Sequence, residues 1–236
     1  MIKTPDTNSI CPIFFQKTGT NSLEQVGSSV ILQVKNKTFL LTAAHVTDLL
    51  EHGELFIPAI DGFIQLYGSY SAVKLPIGWK REHDKVDIAY FKLDQNVYRS
   101  IHPTIKALAR NDLHLAESLV EKDIYTFSGY PVSRAKSKGE QHRSEIFSYT
   151  GSASPATIYE KLEYDSHFHI LIDFNRQQFC TNEGTKQIPP HPKGISGGAV
   201  FSWPKDYPMR KDNPRFYLVG IAHTYKKKKK YLLQQE

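Results

Sequence analysis

The segment Gly194–Gly198 reads Gly-Ile-Ser-Gly-Gly and places one serine, Ser196, between glycines. A serine hydroxyl becomes an effective nucleophile only when a base removes its proton and nearby donors stabilise the resulting oxyanion. Glycines permit the tight backbone turn that directs N–H groups toward such an oxyanion. An ordinary glycine-serine turn has the same composition, so the segment predicts a nucleophile only if a base and an acid lie elsewhere in the chain.

Two other segments supply a base and an acid. Leu41–His45 ends an apolar strand pattern with a histidine at the following turn, and imidazole, with an ordinary pKa of about 6.5, suits the transfer of a serine proton. Lys85–Ala89 places Asp87 directly before a second apolar strand. A carboxylate in that position can hold the histidine in one tautomer. The nearby Asp84 competes for this role, but its charged surroundings predict a solvated side chain.

The elements that must position these residues have strand patterns rather than helix patterns. Lys35–Lys37 predicts a hairpin connection, Val46–Glu51 and Leu113–Glu121 are candidates for short helices, and the polar segment Ser133–Ser144 predicts a loose loop. Many short strands with few helices predict a sandwich or a barrel. The predicted strands are rich in β-branched and aromatic residues: Val30–Val34, Thr38–Leu41, Leu55–Ile60, Ile88–Leu93, Ile124–Phe127, His169–Phe174, Ala199–Trp203 and Tyr217–Ala222.

His45, Asp87 and Ser196, in this order, resemble the catalytic triad of the chymotrypsin/trypsin superfamily, specifically its bacterial trypsin-like peptidases. Gly27–Val34, Gly129–Pro131 and Leu218–Ile221 are similar to strands of that family, so the resemblance covers most of the chain. It implies an all-β fold of two six-stranded antiparallel barrels, formed by residues 1–108 and 109–236, with the active site in the cleft between them. Family members usually end in a helix, for which Lys226–Glu236 leaves little room.

The resemblance also implies the activity and the binding residues. The expected activity is that of a serine endopeptidase working through an acyl-enzyme, with no metal and no cofactor. The backbone N–H groups of Gly194 and Ser196 would form the oxyanion hole, and Lys193, His223 and Thr224 would contact substrate. The strand that carries His223 is expected to pair with the substrate backbone.

Two positions near the serine differ from those of well-known relatives. His223 stands where many relatives carry a serine that supports the catalytic aspartate, whereas glutamate-cutting relatives place a histidine one residue earlier. Support of Asp87 and recognition of an acidic or amide side chain therefore both remain open. Ile195 stands where zymogens carry the aspartate that binds a new N-terminus, so we expect no activation of that kind. Pro189–Lys193 contains no acid, which argues against a strict preference for lysine or arginine.

Three alternative interpretations use the same residues. An α/β-hydrolase also has Gly-x-Ser-x-Gly, but it needs a helix directly after the serine, where Ala199–Trp203 has a strand pattern. His167 and His169 would share one face of a strand, yet no third metal ligand lies at a typical spacing. A protease-like scaffold that binds partners without cutting them is the alternative from another class of function.

Composition limits the partners that we expect. The net charge is +6, but Lys226–Lys230 supply five positive charges and the remaining chain carries only +1; nucleic acid is therefore not the expected partner. We expect a protein or peptide substrate and leave a regulatory protein partner open. No apolar stretch approaches the roughly 18 residues of a membrane helix, and no secretory signal pattern is present. We therefore expect no membrane association and a cytoplasmic location, which the two cysteines, Cys11 and Cys180, fit whether or not they pair.

Overall fold

The computed structural model describes residues 4–114, 124–138, 141–174, 188–204, 214–226 and 231–235. Within these residues the chain forms sixteen strands, three short α-helices and four short 3₁₀ turns. The strands are β1 Ile10–Lys17, β2 Leu23–Val34, β3 Lys37–Ala43, β4 Gly53–Ala59, β5 Gly62–Gln65, β6 Tyr70–Ala72, β7 Ile88–Leu93, β8 Leu108–Ala109, β9 Ile124–Gly129, β10 Ala135–Lys138, β11 Gln141–Ser144, β12 Phe147–Ser152, β13 His169–Asp173, β14 Ala199–Ser202, β15 Tyr217–Lys226 and β16 Tyr231–Gln235. The helices are α1 Ala44–Thr47, α2 Gln95–Ser100 and α3 Ala156–Leu162, and the 3₁₀ turns are Asp48–Glu51, Arg81–His83, Arg110–Asp112 and Val132–Arg134.

The strands are divided between two large sheets and one separate hairpin. The first sheet has eight strands in the order β5-β4-β1-β2-β3-β7-β6, with β8 pairing in parallel to β2. The second has six strands in the order β12-β9-β14-β15-β16-β13, all antiparallel to their neighbours. Strands β10 and β11 form the hairpin on their own.

Side-chain alternation explains how these strands bury one face. In β7, Ala89, Phe91 and Leu93 are buried while Tyr90 and Lys92 are exposed, as expected when successive side chains point to opposite faces of a sheet. Strand β2 continues into β3 through a tight connection in which Val34 pairs with Lys37. The predicted hairpin at Lys35–Lys37 is thereby confirmed.

Four hydrophobic clusters occur among the described residues, and three of them pack the two large sheets. One fills the first sheet and includes Ile31, Leu40 and Phe91, and another fills the second sheet around Phe127 and Ile172. The third, which we call the inter-sheet cluster, joins the two sheets. It consists of Ile10, Val30 and Leu32 from the first sheet and Ala199, Phe201, Leu218 and Ile221 from the second. Its buried apolar surface fixes the two sheets against each other.

All eight predicted strands are confirmed, and so is the short helical stretch at Val46–Glu51, which forms the end of α1 and a 3₁₀ turn. The expectation of two six-stranded barrels is met only in part. The first sheet has eight strands, and in the described part of the chain neither sheet is closed by a continuous ladder of paired strands. The last described residues, Tyr231–Gln235, form strand β16, in agreement with the expectation that Lys226–Glu236 leaves little room for a helix.

The prediction of a loose loop at Ser133–Ser144 is wrong. Strands β10 and β11 pair as a hairpin, with Lys136 opposite Arg143 and Ala135 opposite Ser144. The segment has few apolar residues, so its sequence lacks the usual strand pattern. Of the predicted helix Leu113–Glu121, Leu113 makes an isolated bridge with Leu218, and the rest from residue 115 lies outside the described residues.

One of the two cysteines, Cys11, lies in the described part of the chain. Cys11 is a buried free thiol, whose burial raises its pKa to about 12, and Cys180 lies outside the described residues. In the described part of the chain, no helix is both long enough and apolar enough to cross a membrane.

Candidate active site

The histidine and the aspartate predicted to act together are in direct contact. Nδ1 of His45 lies 2.7 Å from Oδ2 of Asp87, and the backbone N–H of His45 donates to Oδ1 of the same carboxylate at 2.9 Å. The Asp87 side chain is 5% exposed and that of His45 37% exposed. The acid is therefore enclosed by protein, while the imidazole has one edge open to the cleft.

The turn before β7 presents Asp87 in an unusual backbone conformation. Asp87 has a φ of +34°, which is uncommon for a residue other than glycine and which the surroundings must stabilise. Two backbone hydrogen bonds fix the site: the N–H of Ala44 donates to the Asp87 carbonyl at 3.1 Å, and that of Val86 donates to Oδ1 of Asp84 at 2.9 Å. Asp84 thus helps to form the turn that carries Asp87.

The prediction that Asp84 is solvated is wrong. Its side chain is 4% exposed and pairs with Arg81 at 2.6 Å, and Arg81 also binds Asp48, in the 3₁₀ turn after α1, through two nitrogens. Burial favours the neutral form of Asp84, but the hydrogen bonds from Arg81 and from the backbone of Val86 and Asp87 prevail, so that the pKa of Asp84 lies below its usual value. Asp84 is a structural partner of the turn, and it does not contact His45 directly.

Ser196 lies in a turn that only glycine can complete on both sides. Gly194 has a φ of +94° and Gly197 a φ of +85°, values that glycine adopts without strain. A side chain at Gly197 would collide with the Ser28 carbonyl and with Thr42, and a side chain at Gly194 with the backbone of Tyr130 and Val132. The turn Gly194–Gly198, which we call the nucleophile turn after the predicted role of Ser196, therefore packs closely against strands β2 and β3 of the first sheet.

The backbone N–H groups of Gly194 and Ser196, the predicted oxyanion donors, differ from those of the two following glycines. Within the described residues neither donates a hydrogen bond, whereas the N–H groups of Gly197 and Gly198 bind the carbonyls of Ala222 and Ile195. The carbonyl of Lys193 accepts the N–H of Val132 at 2.8 Å. Because the N–H and C=O of a trans peptide point in opposite directions, this bond turns the N–H of Gly194 away from Val132.

Ser28, which the sequence did not single out, orients the nucleophile turn. Its hydroxyl donates to the Gly194 carbonyl at 2.7 Å and accepts the N–H of Tyr130 at 2.8 Å. Its backbone N–H donates to the Ser196 carbonyl at 2.8 Å. The sequence signal was a pair of serines, Ser28 and Ser29, inside the stretch Val26–Leu32, whose other residues are apolar or glycine, since polar groups buried there must find partners.

His223 lies beside both the acid and the nucleophile. Its side chain is fully buried, with Nδ1 3.8 Å from Oδ2 of Asp87, and its carbonyl accepts the Ser196 hydroxyl at 3.2 Å. Burial lowers the pKa of His223 to about 4, and the nearby Asp87 carboxylate offsets part of that effect. The β15–β16 register shifts between Ala222 and Thr224. Strand β15 is covered on both faces, by the inter-sheet cluster on one side and by the core of the second sheet on the other, so Ala222 and His223 are both buried.

The hydroxyl of Ser196 is not hydrogen-bonded to His45, the predicted base, in the described part of the chain. The hydroxyl binds the His223 carbonyl instead. The three predicted catalytic residues are nevertheless linked, since His223 lies against Asp87 and Ser196, and Asp87 binds His45.

The other predicted binding residues are placed differently. Lys193 is exposed at the mouth of a groove that His45 also lines. Thr224 lies on β15, but its side chain is not among those described.

The alternative metal site has no support in the described residues, where no group of three or more metal-ligating side chains occurs. His167 also precedes β13 rather than sharing a strand face with His169, because the strand begins at His169. The ring of His169 instead contacts the carbonyls of Asp165 at 3.0 Å and Lys85 at 2.7 Å. These contacts connect β13 to the turn that carries Asp87.

Solved structures with a similar fold exist, although the sequence comparisons found no match. No protein-family model and no curated protein sequence matches the chain significantly. Among solved structures, neuropsin, a serine protease expressed in the limbic system of mouse brain, is similar with a TM-score of 0.58 and 13% identity over 98% of this chain and 90% of that one. A Glu endopeptidase in complex with MPD is similar with a TM-score of 0.54 and 14% identity over 98% and 85%. At such low identity the likeness concerns the fold alone: the chain has the mostly-β fold of the trypsin-like serine proteases.

Proposed function

We propose that this chain is a serine endopeptidase that hydrolyses peptide bonds with His45, Asp87 and Ser196. The observation that carries the proposal is the buried Asp87 carboxylate, 2.7 Å from Nδ1 of His45, close to a glycine-flanked serine whose neighbouring N–H groups are unoccupied. Buried carboxylates are costly unless they have a partner. A carboxylate, an imidazole and such a serine together are the groups that an acyl-transfer site requires.

The chemistry begins with the tautomer of His45. A carboxylate only accepts hydrogen bonds, so Asp87 keeps the proton of His45 on Nδ1 and leaves the Nε2 lone pair available. The Ser196 hydroxyl turns from the His223 carbonyl toward Nε2, gives up its proton and attacks the peptide carbonyl carbon. The N–H groups of Gly194 and Ser196 then stabilise the oxyanion.

The tetrahedral intermediate breaks down when His45 passes the acquired proton to the departing amine. The carbon–nitrogen bond cleaves, and the acyl group stays on the Ser196 oxygen as an ester. Water then loses a proton to His45, attacks the ester carbonyl and releases the acid, and the proton returns to Ser196. No cofactor or redox partner enters these steps.

In this proposal His223 supports Asp87 rather than reading the substrate. A fully buried side chain 3.8 Å from the carboxylate favours that role over a position in a specificity pocket. The depressed pKa keeps His223 neutral near pH 7. His223 therefore packs against Asp87 without forming an ion pair with it, and the carboxylate remains the partner of His45.

The oxyanion loop of the proposed enzyme is set by packing. Ile195 is 1% exposed and belongs to the core of the second sheet, while Ser28 binds the Gly194 carbonyl. These contacts support a loop that needs no ion pair with a newly cut N-terminus. A protein or peptide is the proposed substrate, in keeping with the neighbours of this fold.

The architectural part of the proposal is that each sheet curls around its own core as one barrel of a two-barrel unit, with residues 1–108 and 109–236 as the two halves. The separate clusters of the two sheets support this division. The isolated bridge between Ala153, just after β12, and Ile172 in β13 supports the curling of the second sheet, because β12 and β13 are its edge strands.

The decisive test uses a fluorophosphonate probe and the Ser196→Ala variant. The wild-type protein should be labelled at one serine and should cut a proteome-derived peptide library, with the cut sites mapped by mass spectrometry. Ser196→Ala should lose both properties while keeping its circular dichroism spectrum. The matched control is Ser71→Ala, at an exposed serine on β6, which should keep both. Labelling that survives in Ser196→Ala would refute the assignment, and a folded wild type that neither reacts nor cuts would favour the non-catalytic scaffold.

A further inference from the structure

A groove of about 590 Å³ begins at His45 and runs toward the β10–β11 hairpin. Its walls include Gln25 and Val26 from β2, and Lys136 and Arg143 from the hairpin. Lys193, which directly precedes the first oxyanion glycine, stands at its catalytic end. The groove is therefore continuous with the proposed active site.

The side chains around this groove are mainly positive. Lys136, Arg143 and Lys193 are all exposed, and among the described lining residues Glu24 is the only carboxylate. Arg143 has one partner outside the groove, Glu145 at 3.4 Å, but the two side chains are 78% and 46% exposed. Exposed pairs of this kind bind weakly, so Arg143 can exchange Glu145 for a substrate carboxylate.

The hairpin that carries two of these charges is fixed in place. The ring of His142 packs edge-to-face on Phe14 and Phe63, with centroid distances of 5.6 and 5.2 Å. The Ser144 hydroxyl donates to Gln25 at 2.5 Å, and Gln25 in turn donates to the Tyr130 carbonyl at 2.7 Å. These contacts hold the backbone of the hairpin against the rest of the protein, so that Lys136 and Arg143 are presented to the groove from a fixed position.

The position of His45 assigns this groove to one side of the substrate. In the proposed mechanism His45 protonates the departing amine, so the peptide segment that leaves must pass the imidazole. The described lining of the groove contains no residue of β15, the strand expected to pair with the acyl segment. The groove therefore extends on the leaving side.

We infer that this groove binds the residues that follow the cleaved bond and selects acidic side chains there through Lys136, Arg143 and Lys193. The inference rests on the proposed peptidase function and adds a substrate class to it. An extended peptide advances about 3.3 Å per residue, so the first two or three residues after the cleaved bond lie within reach of these three charges. Acidic residues on the leaving side would then be favoured whatever side chain precedes the bond.

The test uses pairs of internally quenched peptides built on one sequence that the enzyme cuts, with Glu or Gln at the first or second position after the cleaved bond. We expect the wild type to show a kcat/KM about fivefold higher for the Glu peptide, the scale of one or two exposed ion pairs. Lys193→Gln and the double variant Lys136→Gln/Arg143→Gln should each lower this ratio, and Lys193→Glu should shift the preference toward a lysine peptide. About 0.5 M NaCl should weaken the preference, since exposed charges are screened.

Lys92→Gln is the matched control, because Lys92 is exposed on β7 and does not line the groove; its ratio should equal that of the wild type. A wild-type ratio near one, or a ratio that the groove variants leave unchanged, would overturn the inference while the enzyme still cuts peptides. If the wild type cuts no peptide and reacts with no fluorophosphonate, the proposed function itself fails and the inference falls with it.

Discussion

His223 should make the folded protein sensitive to mild acid. Its pKa is about 4 in the folded protein against an ordinary value of 6.5, and desolvation is the main cause because the ring is buried beside Asp87. The unfolded chain therefore binds a proton at higher pH than the folded chain does. The stability that neutral His223 provides is complete above about pH 6.5 and is lost as the pH falls toward 4.

The size of this effect follows from the shift. A difference of about 2.5 pKa units corresponds to about 3 kcal/mol when fully expressed. Between pH 7 and pH 5 about 2 kcal/mol of it should be lost, before most carboxylates begin to titrate. Replacing His223 by Gln removes the titrating group but keeps a polar side chain of similar length, so the variant should lack this part of the pH dependence.

The measurement is the free energy of unfolding in urea at both pH values for wild type and His223→Gln. The variant should lose about 2 kcal/mol less than the wild type on acidification, whatever its stability at pH 7. His52→Gln, at an exposed histidine, is the matched control and should follow the wild type. Parallel pH dependence in wild type and His223→Gln would refute the idea that a buried neutral His223 supports Asp87.

Three further predictions concern the acid of the proposed triad and its neighbours. Asp87→Asn should lower turnover by about 10⁴ because the amide favours the wrong tautomer of His45. Asp84→Asn should lower stability by about 1–2 kcal/mol because the ion pair with Arg81 is weakened, and it should lower turnover less than Asp87→Asn does. Turnover and urea unfolding, measured on the same variants, separate the effect on catalysis from the effect on stability. A larger loss of turnover in Asp84→Asn than in Asp87→Asn would make Asp84 the catalytic acid. For His223→Ala, turnover should fall by a similar factor on every peptide, whereas a loss confined to Glu or Gln peptides would make His223 a specificity residue.

The sequence was most informative where chemistry and strand pattern coincided. His45 and Asp87 each lie next to an apolar strand segment, and these two strands, β3 and β7, pair with each other from Ala43–Ile88 onward. Adjacent strand ends therefore bring the histidine and the acid together. The strands themselves could be predicted because they are short segments rich in β-branched and aromatic residues and are bounded by turn residues.

Burial and long-range partners were not readable in the same way. Asp84 lies in a charged stretch, yet Arg81 folds over it because Asp48, from the turn after α1, binds the same guanidinium. Sequence spacing does not reveal such a pairing. The burial of His223 depends on strand β15 being covered on both faces, by the inter-sheet cluster and by the core of the second sheet, whereas a period-two pattern predicts only one buried face.

The nucleophile turn owes its shape to the sheet that does not contain it. Ser196 precedes β14 of the second sheet, but the hydroxyl and the N–H of Ser28 on β2 bind the carbonyls of Gly194 and Ser196. Gly197 lies against Ser28 and Thr42 of the first sheet, where no side chain would fit. Because these contacts cross between the sheets beside the inter-sheet cluster, the arrangement of the proposed oxyanion donors depends on the docking of the two sheets. A substitution that weakens the packing between the two sheets should therefore lower the reactivity of Ser196 before it unfolds either sheet.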